Sequence, residues 1–178
     1  MIEHSTKRGA PALPQNKLFL LFRIGDERYA LEAVEIAEVL PRLHLRPIPQ
    51  APHWVAGVFA HRGVVVPVID LSALTFGRPA QARTSTRLVL VHYRPDADRS
   101  GQLLGLILEQ ATDTLRCPPR EFKEYGLDNR LSPYLGPVRE DAHGLLQWIR
   151  VQDLLSDSVR ELLYPAQPLS IELFEEAP

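Results

Sequence analysis

At 178 residues the chain is long enough for one substantial hydrophobic core, or for two small cores sharing a seam. Its composition, 45% hydrophobic and 24% charged with a net charge of −2, gives no overall positive field to attract nucleic acid or anionic lipid. The longest apolar runs, residues 64–69 and 103–108, are strand-sized and fall far short of the ~20 residues that span a bilayer.

Residues 1–16 carry His4, Lys7, Arg8, Pro11 and Pro14 without the apolar core of a secretory signal, and read as a flexible lead-in. The single cysteine, Cys117, has no internal disulfide partner, which favours a reducing cytosol. Sixteen prolines and ten glycines suit short strands and tight turns better than long helices.

In chain order, residues 18–24 form an apolar strand, Gly25 to Glu27 a turn, and 28–33 the returning strand of a first hairpin. Residues 34–40 place Val34, Ala37 and Leu40 at helical spacing, so one or two helical turns ending at Pro41 are expected. Residues 45–48 read as a short strand, and 51–58 as a segment opening with a single helical turn. A second hairpin centres on His61, Arg62 and Gly63, with 64–69 as its return strand. Pro67 removes a ladder donor there and demands an edge or a bulge. Asp70 then caps a short helix over 71–76 that Gly77 terminates.

Residues 78–86 are polar and make the best linker. Beyond them lie a strand at 87–93, a polar hairpin loop at 95–101, a return at 102–108 and an extended continuation at 111–116. Residues 118–132 are irregular, with one helical turn near Phe122. Strands follow at 134–138 and 144–151. A last helix, opened by Asp153 or Ser156, presents Leu154, Leu155, Val159, Leu162 and Leu163 before Pro165 ends it. The tail, 166–178, is mildly acidic and reads as a solvated end.

The two halves share an order of parts. Trp54, Gly57, a hairpin, an apolar strand and Asp70-Leu71 match Tyr134, Gly136, a hairpin, an apolar strand and Asp153-Leu154. This order points to two similar small barrels joined through the linker.

Three groups of residues carry a family likeness. The opening is Gly25-Asp26 with Tyr29, the proline-rich segment supplies Pro49 and Pro52, and the core pattern is Gly57, Arg62, Gly63, Pro67, Asp70 and Leu71. Together, over most of residues 18–163, they resemble the CheW-like domain. That resemblance implies a mainly β fold of two SH3-like five-stranded barrels packed together, with short helices and a C-terminal helix. A first subdomain is expected over 17–80 and a second over 81–165. It also implies a non-catalytic signalling scaffold, cytoplasmic and recruited to membrane-associated receptor arrays. Its partners would be the cytoplasmic tip of a chemoreceptor, the regulatory domain of a CheA-type histidine kinase, and further CheW-like proteins. Ala60 and His61 depart from the usual residues before the arginine, which favours a divergent pathway such as a Wsp-type surface-sensing one.

By the same resemblance, Ile36, Glu38, Val39 and Arg62 line a receptor-binding groove, while Gly57, Val58 and Gly63 serve the kinase contact or the backbone. Arg62 reads either as a guanidinium offered to a partner's carboxylates or as a solvated turn residue. Ile36 and Val39 read equally as core contacts, and Gly57 leans structural. Asp70 is chiefly a helix cap. The acids offer no spaced pair for general acid and base, and the six histidines are scattered without metal-ligand spacing, so no enzyme, metal or cofactor is expected. The competing reading is a small nucleic-acid-binding barrel, for which Arg78, Arg83, Arg87, Arg94 and Arg99 speak and an aromatic content of 7% does not.

Overall fold

The structure is a computed structural model that describes residues 15–126 and 128–166. The acidic tail and nearly all of the lead-in therefore lie outside the described residues. Among the described residues nine strands and two short α-helices follow in sequence: β1 (Lys17–Ile24), β2 (Glu27–Glu32), β3 (Ile36–Pro41), β4 (Val55–His61), β5 (Val64–Asp70), α1 (Leu71–Phe76), β6 (Arg87–Tyr93), β7 (Gln102–Cys117), β8 (Leu135–Asp141), β9 (Gly144–Ile149) and α2 (Asp157–Leu163).

The strands sort into two five-stranded barrels. Barrel one is β1, β2, the second half of β7, β8 and β9; barrel two is β3 to β6 with the first half of β7. In each, a hairpin pairs antiparallel with a third strand and parallel with a fifth, and a lone bridge ties the segment after the third strand to the fourth. Those bridges are Arg46 with Val58 and Lys123 with Val138. The internal likeness extends to the backbone: Trp54 C=O accepts from Asp70 N–H, and Tyr134 C=O accepts from Arg150 N–H, both at 2.8 Å.

The barrels are not consecutive in sequence. The first hairpin, β1–β2, is completed by β7 to β9, and β6–β7 is completed by β3 to β5. A boundary between residues 80 and 81 therefore does not separate them, because each hairpin sends its continuation into the neighbouring barrel.

The segment 34–40 also differs from expectation. Ala33–Glu35 make a single 3-10 turn, and Ile36–Pro41 extend as β3. Pairing with β6 over five positions, Ile36 with Val91 through Pro41 with Arg87, outweighs a weak local helical spacing. In α2, Val159 is buried but Leu162 is exposed, since the helix starts at Asp157 and turns that residue to solvent. The 45–48 strand reduces to the bridge at Arg46. Pro67 pairs with Val58 one residue before β5 takes up β7 at Val68, so its missing N–H interrupts neither ladder.

Three buried clusters follow from strand alternation. Val89 and Val91 join Phe22, Leu31, Leu104, Leu106, Ile149 and Leu154 in the largest, which lies between the barrels. Leu88 and Leu90, on the opposite face of β6, join Val66 and Val68 inside barrel two. Phe19, Phe122 and Trp148 fill barrel one, with ring centroids 4.9–5.2 Å apart. Because β6 is buried on both faces, its sequence reads as an unbroken apolar run.

Asp70 closes β5 onto α1. Its Oδ1 accepts from Ala73 N–H at 3.1 Å, its Oδ2 from Ala80 N–H at 2.8 Å, and Gly77 ends the helix at φ 72°. Asp70→Ala leaves two amides without their acceptor and should cost about 2 kcal/mol. Thermal unfolding should then fall by roughly 4–8 °C. An unchanged melting temperature would remove Asp70 from the cap.

Candidate interaction surface

The β4–β5 hairpin turns through two residues, Arg62 and Gly63, between the paired His61 and Val64. Both have positive φ, 51° and 79°, as a two-residue turn of the I′ kind requires. Gly63 meets this without strain, and a Cβ there would face open space. Arg62 adopts it against the usual preference of an L residue, whose Cβ crowds the backbone carbonyl at positive φ, at a cost on the order of 1 kcal/mol. Its side chain is 79% exposed.

Strand β3 brings a carboxylate to this turn. Glu38 Oε2 lies 3.0 Å from His61 Nε2 and 3.4 Å from the Arg62 guanidinium. One oxygen is thus shared between imidazole and guanidinium, and His61 in turn leans on the Phe59 ring, 5.9 Å between centroids. Glu38 and Arg62, twenty-four positions apart in sequence, belong to one cluster. His61, which sequence spacing sets aside with the scattered histidines, is its third member. The signal was available in its departure from the family pattern.

The remaining sequence candidates separate. Ile36 is half-buried and packs on the central core, whereas Val39 is exposed. The bulge between Ile36 and Glu38 resets the alternation of β3, so both stand opposite the same face of β6, at Val91 and Val89, and they differ in burial: the core covers Ile36 and leaves Val39 to solvent. Val58 is half-buried and exchanges backbone hydrogen bonds with Arg46 at 2.9 Å in both directions. Gly57, at φ 142°, lets Arg46 C=O approach so closely that a Cβ would sit 2.4 Å from its oxygen. Its requirement for glycine is therefore local. Val64 and Val65, exposed on β5 just past the turn, were not singled out in the sequence and add apolar surface beside Arg62.

Barrel one carries an ionic network that sequence reading misses entirely. Arg28 holds Asp141 with two bonds of 2.8 and 3.2 Å, and Arg139 bridges Asp141 at 2.9 Å and Glu121 at 2.7 Å. Arg28 and Asp141 stand 113 residues apart, beyond any local spacing rule. The Arg28 hydrogen bonds hold the Asp141 carboxyl below the usual range, and Glu121 raises Arg139. Arg28 and Asp141 line a surface cleft of about 490 Å³ with Leu21, Arg23, Thr112 and His143. Among the described residues no group of three metal-ligating side chains gathers, and no helix is long and apolar enough to cross a membrane.

Two expected outcomes follow. Arg62→Asn, which suits positive φ, should leave stability unchanged or raise it by up to about 1 kcal/mol in a urea titration. A clear loss would make the guanidinium structural. A depressed carboxylate stabilises the fold above its ordinary pKa, and that contribution is lost as pH falls through the depressed value. Asp141→Asn should therefore lower stability near neutrality and flatten the acid limb of the pH–stability curve. An identical acid limb would detach Asp141 from acid unfolding.

Comparison with known proteins places this geometry. A family model described as the CheW-like domain matches residues 18–159. The chain is 33% identical over 99 residues to a chemotaxis protein CheW of Helicobacter pylori, covering 55% of this chain and 56% of that protein. It is 40% identical over 78 residues to protein FrzA of Myxococcus xanthus, covering 44% and 47%. The matched region thus spans about half the length of these curated relatives. A crystal structure of the scaffolding protein TtCheW from Thermoanaerobacter tengcongensis superposes with a TM-score of 0.70 at 19% identity, covering 84% of this chain and 94% of that one, a likeness of fold.

Proposed function

The chain belongs to the CheW-like domain family, and from that premise we propose that it is a non-catalytic adaptor coupling chemoreceptors to a CheA-type histidine kinase. The observation that carries this reading is the β4–β5 turn. It offers an exposed guanidinium, set by backbone geometry and steadied by Glu38, beside the exposed valines 64 and 65. A charge-bearing apolar tip of this kind suits docking of an amphipathic helix, whose apolar side covers the valines while a carboxylate or helix-end carbonyl meets Arg62.

In this reading Arg62, Glu38 and Val39 contact the receptor tip, and Ile36 supports β3 from the core side. Gly57, Val58 and Gly63 shape the hairpin. The kinase contributes its regulatory domain, further CheW-like proteins join the assembly, and the adaptor works in the cytoplasm at receptor arrays. Holding two partners side by side raises their effective concentration, so moderate affinity per contact suffices once many copies assemble. At the two hairpin tips the charged groups, Glu38 with His61 and Arg62, and Asp141 with Arg28 and Arg139, are engaged in ion pairs, an arrangement for recognition rather than for activating a nucleophile.

Co-purification of the full chain with a receptor tip fragment and a kinase regulatory domain tests the reading directly. Retention of both is expected. Arg62→Asn should weaken receptor retention about tenfold, near 1.4 kcal/mol, while the melting curve holds. Failure of the unaltered chain to retain either partner would overturn the adaptor.

A further inference from the structure

The chain's formal charge of −2 conceals a division between its barrels. Residues 36–108, which build barrel two with its connections, hold eight arginines and no lysine against four acids, a formal +4. Residues 15–35 and 109–166, which build barrel one and α2, hold ten basic residues against fourteen acids, a formal −4.

The local pairing sharpens the contrast. In barrel one, Arg28, Arg139, Arg150 and Lys17 each sit within ion-pair distance of a carboxylate. In barrel two only Arg62 and Arg99 do; the other six arginines have no carboxylate at that distance among the described residues. Four of the six lie on two segments, residues 42–46 and 83–87, that adjoin the Pro41–Arg87 end of the β3–β6 pair. Pro41 pairs with Arg87, which sets Arg42 beside it, and Arg87 donates to Thr84 C=O in the turn that also holds Arg83. Arg46 follows along the same segment, with His44 between them, and Arg42, His44, Arg46 and Arg83 are all exposed. The nearby Glu109 is engaged elsewhere, accepting from Ser72 Oγ at 3.2 Å and from Gln81 N–H at 2.8 Å.

We propose that this end of barrel two, Arg42, Arg46, Arg83 and Arg87, is a docking surface for a carboxylate-rich protein partner. The use of arginine throughout favours forked recognition of planar carboxylates over diffuse attraction. The exposed Leu43 lies between Arg42 and His44, an apolar contact that a polypeptide covers and a phosphate backbone does not. A single-stranded nucleic acid would need aromatic platforms interleaved with the arginines, and neither residues 42–46 nor residues 83–87 contain a Phe, Trp or Tyr. The opposite sign of barrel one repels the same partner, so the charge division also selects which barrel it meets. The proposal rests on the adaptor reading only in taking the occupant to be a protein.

The test measures binding of fluorescent poly-L-glutamate to the full chain at rising salt, beside a single-stranded oligonucleotide of equal charge and anionic phosphatidylserine vesicles. Poly-L-glutamate should bind most tightly and weaken steeply with salt. The pair Arg42→Glu with Arg46→Glu should reduce that binding at least about tenfold. The same reversal at the exposed Arg116 and Arg120 of barrel one should change it less than about twofold. Circular dichroism melting checks that each variant folds, and Arg42→Gln with Arg46→Gln should give an intermediate loss. Tighter binding of the oligonucleotide or the vesicles, or equal effects of the two reversals, would overturn the surface. Loss of receptor and kinase retention with poly-L-glutamate binding intact would instead strike the adaptor reading and leave this one standing.

Discussion

Strand β7 belongs to two sheets at once, and most of the architecture follows from that sharing. Its first half pairs with β6 and with β5, its second half with β1. Between them Gln110 takes φ 47°, the register against β1 jumps from Arg23–Glu109 to Leu21–Asp113, and Ala111 N–H is drawn to Ser85 C=O at 3.2 Å. A bulge of this kind bends a strand and raises its twist, which lets sixteen continuous residues leave one barrel and enter the next. Covalent continuity through β7, together with the crossed hairpins, fixes the two barrels to each other more firmly than a linker would.

That junction accounts for the distribution of apolar residues. The largest cluster lies between the barrels and takes side chains from both, so neither barrel has a complete exterior of its own. Separating them would expose Phe22, Val89, Val91, Leu104 and Leu106 together. At roughly 1.5–3 kcal/mol for each large apolar side chain, this seam outweighs any surface ion pair in the molecule. The hairpin tips are correspondingly free to carry function. Their backbones are set by paired strands, and the side chains at their turns contribute little to the core.

The two tips have diverged in character on equivalent frames. At the end of β4–β5 a single Glu38 oxygen serves His61 and Arg62, and the guanidinium remains mostly solvated. At the end of β8–β9, Asp141 is bound by two arginines and accepts from His143 N–H at 2.8 Å, so its charge is spent internally. The same architecture therefore leaves the cation at one tip open to solvent and pairs off the charge at the other. The wider charge division between the barrels runs in the same direction.

Local order was legible in the sequence wherever one physical rule acted alone. The hairpins at Gly25 and Gly63 follow from turn chemistry, the α1 helix from an aspartate cap and a glycine stop, and the β6 strand from its unbroken apolar run. The family pattern was legible too, because its glycines, prolines and aspartate serve these turns and caps. Local rules failed at residues 34–40, where a helical spacing gave way to pairing with β6, a partner about fifty positions away. They also had no means of assigning strands to barrels, since crossing the hairpins leaves every strand's own alternation unchanged. The Glu38–His61–Arg62 cluster and the Arg28–Asp141–Arg139 network depend on that assignment. Sequence determined which segments turn, extend and cap, because those choices are made by neighbouring residues. Only the tertiary structure decided which strands share a barrel and which charges meet, because those choices are made by contacts between distant ones.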